Sequence, residues 1–428
     1  MLSREENERL TKVVDGPMGQ MMRRYWVPAC LSEEVVERDG TPLRVRIFGE
    51  PLVAFRDSEG RLGILDEHCP HRLASLALGR NEEGGIRCVY HGWKFDVRGQ
   101  CVEMPTEPEN FTYRDRMRAR SYPVREAGGL VWTYLGPPEA EPAFPEYDWM
   151  TLPKEQVAII KVGERVNYLQ AVEGAIDSSH SWFLHRDTIW DWKKRSEISS
   201  DLSPRLEAQD EPYGFRYAAI RKPNANPESE QYVRVTQFIV PFTALIPRPL
   251  DRKEPAHAQI FVPVDDTRTM FYGVFFSQDG APVDEDGQRR KHHVVPGADL
   301  DPRWFRLANH DNWFMQDRAA MKNGSYTGIK GFTNQDMACQ ESMGPIADRT
   351  REHLGTSDIA IIRMRRRMVE ALRRFEAGES LIGQDATFPY DRLRGDQRLI
   401  PIGEPWQSVG SYDGETAATA ARSSTSSG

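Results

Sequence analysis

Two short stretches, Cys69-Pro-His71 and Cys88-Val-Tyr-His91, constrain this chain more than any other feature. Each offers one thiol and one imidazole, and sixteen residues separate His71 from Cys88. Around them the sequence is a series of short β-type runs broken by turn signals. LRVRIFG (43–49), PLVAFRDSEG (51–60), GILDEHCPH (63–71) and GGIRCVYHGWKFDVRGQC (84–101) read as strand, turn, strand, with Ser58-Glu59-Gly60 and Arg98-Gly99 as hairpin tips. The expectation is a small antiparallel β-domain closing near GGLVWTYLG (128–136).

Scattered core residues would seldom put two Cys/His pairs on consecutive hairpins. Tetrahedral zinc is the sharper rival, because two Cys and two His also satisfy that ion. Zinc modules, however, usually space their cysteines two to four apart and group like with like, and Cys-x-His is a short chelate for one ion. A [2Fe–2S] cluster fits better: one iron takes two thiolates, the other two imidazoles, and each loop reaches both. The loops resemble the Rieske motif, with His91-Gly92-Trp93-Lys94-Phe95 supplying a tight turn and aromatic cover. The chain's other cysteines are Cys30, Cys101 and Cys339; five in all is an odd, sparse set that does not look like a disulfide framework.

Beyond the Pro-rich connector (Pro137, Pro138, Pro142, Pro145, Pro153) the pattern changes. A helix is expected from 165 to about 186, carrying Glu173, Asp177 and His180 on one face. His185 lies five residues on, roughly 140° round an ideal helix, so both histidines reach one ion only if the helix is distorted or ends between them. Longer strands follow in PYGFRYAAI, YVRVTQFIVPF, AQIFVPV and TMFYGVFFS, with a hairpin turn at Asp265-Asp266-Thr267. Helical periodicity returns over 359–375, and the small, polar last fifteen residues predict disorder.

The helical segment is similar, almost position for position, to the mononuclear-iron helix of Rieske non-haem iron oxygenases. The resemblance extends over residues 1 to about 410 and points to the phthalate 4,5-dioxygenase-like group, which includes aryl-ether O-demethylases such as dehydrodivanillate O-demethylase. Supporting stretches are RNEEGGIRCVYHGWKFD, PVREAGGLVWTYLGP and QESMGPIADRTREHLGTSD. It implies a Rieske cluster on Cys69, His71, Cys88 and His91 and a mononuclear Fe(II) on His180, His185 and a downstream carboxylate. Among Asp336, Glu341, Asp348 and Asp358 the family pattern favours Asp336; Asp348, beside Arg349, reads as a capping or ion-pairing residue. It further implies a trimer or hexamer, with Asp177 joining His180 to His91 of the partner subunit. Electrons would come from an NADH-dependent flavin and iron–sulfur reductase, directly or through a ferredoxin.

The fold expected is α+β. Residues 1–145 form an all-β Rieske domain with an N-terminal extension, and 146–412 form a helix-grip-like catalytic domain of antiparallel sheet plus helices, before a disordered 413–428. On the strand Tyr232–Ile239, Tyr232, Arg234, Thr236 and Phe238 share one face and Val233, Val235 and Ile239 the other. Arg234 is therefore the candidate clamp for a substrate carboxylate, against the alternative of a sheet-edge or protein-paired Arg. Arg205, in a Ser-Pro-Arg turn, is a second candidate. A net charge of −8 argues against nucleic-acid and acidic-membrane partners. The basic runs Lys193-Lys194-Arg195 and Arg365-Arg366-Arg367 read as solvated helix faces or docking surface. No window is apolar enough for a membrane span and MLSREENERL is no leader, so the expected location is cytoplasmic. The expected activity is O2-dependent oxidation of an aromatic acid; the competing readings are a Rieske electron carrier and a zinc-stabilised interaction protein.

Overall fold

Ser3 opens the first helix with a reciprocal cap: its hydroxyl accepts from the Glu6 N–H, and the Glu6 carboxylate takes the Ser3 N–H at 2.9 Å. The computed structural model describes residues 2–108, 112–187, 197–250 and 254–412; Lys193-Lys194-Arg195 and the tail from 413 lie outside these. That helix, α1 (Arg4–Thr11), and α2 (Pro17–Met22) precede ten strands. The strands are β1 (Trp26–Leu31), β2 (Leu43–Ile47), β3 (Glu50–Arg56), β4 (Leu62–Asp66), β5 (Arg80–Glu82), β6 (Gly85–Arg87), β7 (Lys94–Phe95), β8 (Cys101–Glu103), β9 (Val124–Ala127) and β10 (Leu130–Tyr134). They make three small antiparallel sheets, ordered β1-β10-β9, β2-β3-β4 and β5-β6-β7-β8. Val53, Phe55, Leu65, Ile86, Trp93 and Phe95 pack together with Cys69 and Cys88, so both thiols point into apolar core.

The second half is built on an eight-stranded sheet. Its strands are β11 (Val157–Glu164), β12 (Arg205–Glu211), β13 (Gly214–Arg221), β14 (Glu230–Ile239), β15 (Thr243–Ile246), β16 (Ala256–Asp265), β17 (Arg268–Phe276) and β18 (Asp396–Pro401). The order is β11-β17-β16-β15-β14-β13-β12, and β14 is long enough to pair β18 along Glu230–Val235 and β15 along Gln237–Ile239. The hairpin between β16 and β17 turns where the sequence predicts. Helices α3 (Tyr168–Ala175), α4 (Glu285–His292), α5 (Arg318–Lys322), α6 (Phe332–Ser342) and α7 (Ile359–Glu376) complete it. No helix among the described residues is long and apolar enough to cross a membrane.

Contacts group the chain into two units, one holding Val13–Phe144 with Pro263–Asp265 and the other holding everything else. The first helix thus goes with the second unit, where the sequence reading had grouped 1–145 together. Its partners explain this: Tyr168 Oη donates to Leu10 O at 2.8 Å, the Asn167 amide to Thr11 O at 2.9 Å, and the Asn7 amide to Ala347 O at 3.0 Å.

Two local expectations are corrected. The helix expected from 165 to 186 is only α3: Asn167 caps it and it ends at Ala175, after which the chain turns irregularly through a short 3-10 turn at His180–Trp182. Glu173, Asp177 and His180 therefore share no helical face. The run Arg365-Arg366-Arg367 is not a solvated face, because Arg365 and Arg367 are buried and ion-paired and only Arg366 is exposed.

Candidate metal centres

The β4–β5 connection carries Cys69 and His71, and the β6–β7 connection carries Cys88 and His91. The two loops are built alike. The Cys69 carbonyl accepts from Leu73 N at 2.9 Å, and the Cys88 carbonyl accepts from Gly92 N at 2.9 Å. Both closing residues have positive φ, +60° at Leu73 and +76° at Gly92. Glycine is required at the second: a Cβ there would sit 2.6 Å from Pro105. Each tight turn buries its cysteine and leaves its histidine half-exposed. Across the loops the His71 and His91 rings lie 4.4 Å apart. His71 also lies flat on Trp93, centroids 4.3 Å apart. Burial, with Cys88 alongside, pushes the Cys69 thiol up to about 12. A buried Cys69 thiol that resists ionising alone, the buried Cys88 thiol, and a His91 Nδ1 buried without a hydrogen-bond partner form a donor set that positive metal ions would satisfy.

The second group forms where α6 meets the turn after α3. Asp336 lies inside α6, one turn from its start. Its Oδ1 is 3.3 Å from His180 Nε2 and 2.8 Å from His185 Nε2, and the three donor atoms all lie within 4.8 Å of one another. Burial opposes charge on His180, but Asp177 and Asp336 outweigh it and push the imidazole up to about 10. Burial likewise opposes the Asp336 anion, yet His185 and His180 hold that carboxyl well below its usual range. Two imidazole nitrogens and a carboxylate oxygen converging on one point suit a divalent metal with open positions. Asp177 accepts from the N–H groups of Ser179 (2.7 Å) and His180 (3.3 Å), and its Oδ2 lies 3.6 Å from His180 Nδ1. The other carboxylates are engaged elsewhere: Glu341 with Arg306 at 2.8 Å, Asp348 capping at Thr350 N, and Asp358 accepting from Gly355 N.

The Rieske [2Fe-2S] domain family matches residues 25–123, and the family described as LigXa C-terminal domain like matches residues 133–427. The phthalate 4,5-dioxygenase oxygenase subunit of Pseudomonas putida is 46% identical over 95% of this chain and 94% of its own. The chain is a Rieske non-haem iron oxygenase. The 5,5'-dehydrodivanillate O-demethylase oxygenase subunit of Sphingobium sp. is 32% identical over 89% of this chain and 82% of its own. Dicamba monooxygenase bound to dicamba shares the fold, with a TM-score of 0.57 at 21% identity, covering 83% of this chain and 99% of that one.

In this Rieske oxygenase a cavity opens beside His180 and Asp336, walled by Tyr217, Arg234, Thr236, His257 and Gln259. Of the predicted face of β14, Arg234 and Thr236 line it, while Val233 and Val235 pack behind against Ile220, Ile400 and Trp406. Arg205 is elsewhere: it opens β12, pairs with Glu207 and is absent from the cavity wall. Sequence reasoning missed His257, His292 and Glu164, which also line the cavity. Burial lowers both histidines, His292 to about 3, so they stay neutral. Alternation along AHAQIFV marks His257 and Gln259 as sharing a face, but nothing local says which side faces the cavity.

Proposed function

We propose that this Rieske oxygenase oxidises an aromatic carboxylic acid, by ring hydroxylation or oxidative O-demethylation, and that Arg234 is the anchor for the substrate's carboxylate. One observation carries the reading. Arg234 lines the cavity beside His180 and Asp336, its Nε is buried without a hydrogen-bond partner, and among the described residues no acid pairs with it. A cation left half-buried and uncompensated is costly unless a ligand brings the anion. A carboxylate matches a guanidinium's forked donors. The relatives named for phthalate and dehydrodivanillate act on aromatic acids, which agrees with an anionic partner here.

In this reading Cys69, His71, Cys88 and His91 hold the cluster and His180, His185 and Asp336 hold the mononuclear iron. When bound, the two groups supply single electrons and activation of O2. The protein's own residues bind and orient: Arg234 fixes the carboxylate end, Tyr217 and Thr236 shape the wall beside it, and the neutral His257 and His292 keep further charge out. Asp177 orients His180 and links it to His91 of the partner subunit in a trimer or hexamer. An NADH-dependent flavin and iron–sulfur reductase, directly or through a ferredoxin, supplies the electrons, and reliance on NADH puts the system in the cytoplasm.

The test is O2 uptake with a generic reductase across phthalates, phenoxybenzoates and methoxylated biaryl acids, with formaldehyde assayed in parallel. For whichever acid responds, R234M should lower kcat/KM by about 10- to 150-fold, the worth of a charge-assisted hydrogen bond, and change its neutral amide analogue little. Equal losses on acid and amide would overturn the anchoring role.

A further inference from the structure

The two histidines of the mononuclear site have unlike supports. His180 Nδ1 faces a carboxylate, Asp177, at 3.6 Å, whereas His185 Nδ1 meets a neutral amide, the Gln335 Oε1, at 2.8 Å. Both His185 and Gln335 are fully buried, and the Phe332 ring stacks on the imidazole at 3.8 Å.

The orientation of that amide is not arbitrary. Gln335 Nε2 is 3.0 Å from the Ile329 carbonyl and 2.8 Å from Thr327 Oγ1. A carbonyl oxygen can only accept, so the amide nitrogen must face Ile329 and the amide oxygen must face His185. That oxygen can only accept as well, so the proton in the 2.8 Å contact belongs to His185 Nδ1. In the neutral ring, the lone pair is then on Nε2, the atom 2.8 Å from Asp336 Oδ1. Two lone-pair acceptors at that distance repel unless a cation or a proton lies between them.

We infer that Gln335 is a positioning residue that holds His185 in the Nδ1–H tautomer and so presents Nε2 as a ligand, with the Thr327–Ile329 loop acting as the lock on the amide. This rests on the metal assignment proposed above. It adds a charge argument: with one carboxylate behind His180 and a neutral amide behind His185, only one imidazole is pushed toward extra basicity.

The experiment uses the whole chain with its cluster intact and Fe(II) as the probe, its affinity read by competition with a ferrous chelator and the cluster read separately by visible absorbance. Q335M removes the acceptor at similar volume; Q335E restores an acceptor at the same place. Q335M should weaken Fe(II) binding by about 10- to 100-fold with an unchanged cluster spectrum, while Q335E, which keeps the acceptor toward His185 but loses the donors to Thr327 and Ile329, binds more tightly than Q335M. Wild-type affinity in Q335M, or a loss in Q335E equal to that in Q335M, overturns the inference. Failure of the metal assignment looks different: the wild type would then bind no Fe(II) beyond its cluster, and D336A would change nothing. Should Q335M also lose its cluster spectrum, Q335E decides: the tautomer lock predicts that it still binds Fe(II), and loss of Fe(II) there with an intact cluster overturns it.

Discussion

Glu164 shows how much one buried carboxyl can hide from a sequence reading. It ends β11 at 1% exposure, lines the cavity, and its Oε2 has no hydrogen-bond partner. Burial, only partly offset by Arg306, pushes it from an ordinary 4.5 up to about 8. Between those values the unfolded chain has released a proton that the folded chain still holds, so stability must fall as pH rises. The slope is at most about 1.4 kcal/mol per pH unit. E164Q removes the titration. Its thermal midpoint should exceed that of the wild type at pH 8 and converge with it below about pH 4.5; two parallel curves would mean that Glu164 ionises normally. At this scale the proposed metal ligands were readable because Cys, His and Asp declare their chemistry by type and spacing. Gln335 and Glu164 were not, since a Gln or a Glu becomes informative only once its surroundings are known.

Among the elements, α3, α7 and the turn at Arg349–Arg351 are joined by Glu173. Its carboxylate takes Arg349 at 2.8 Å and Arg365 at 2.7 Å, both cations being buried, and Arg365 also reaches Glu352 at 2.6 Å. E173A leaves two cations without that anion and should cost about 3–5 kcal/mol, read as a lowered denaturant midpoint. A change below 1 kcal/mol would show that water reaches the site. Strand and hairpin positions followed from alternation and turn residues, as with β16, β17 and the turn between them. The end of α3 did not. Nothing in Gly174-Ala175-Ile176 forbids another turn of helix, and what takes over is the capping of Ser179 and His180 by Asp177, together with Tyr217 Oη donating to the Ile176 carbonyl at 2.5 Å. Arg365 was misread for a related reason: its partner Glu173 stands 192 residues earlier, beyond any local charge pattern.

For the whole molecule, the proposed role of Asp177 reaches past a single chain. D177N keeps the shape and an acceptor oxygen while removing the charge that faces His180. The cluster should remain visible by absorbance and EPR, and iron content should stay at the wild-type level, while product formation falls by about 10- to 100-fold. Near-normal turnover would show that electrons reach the iron without it.

The route of the backbone has a practical corollary. Because α1 is stitched by Tyr168, Asn167 and Asn7 into the unit that otherwise begins at Pro145, no single cut yields either half intact. A clone started at the connector would leave the Leu10 and Thr11 carbonyls' donors facing solvent. Dissection of this oxygenase therefore calls for circular permutation or a two-fragment complementation design, with residues 2–12 supplied as a peptide.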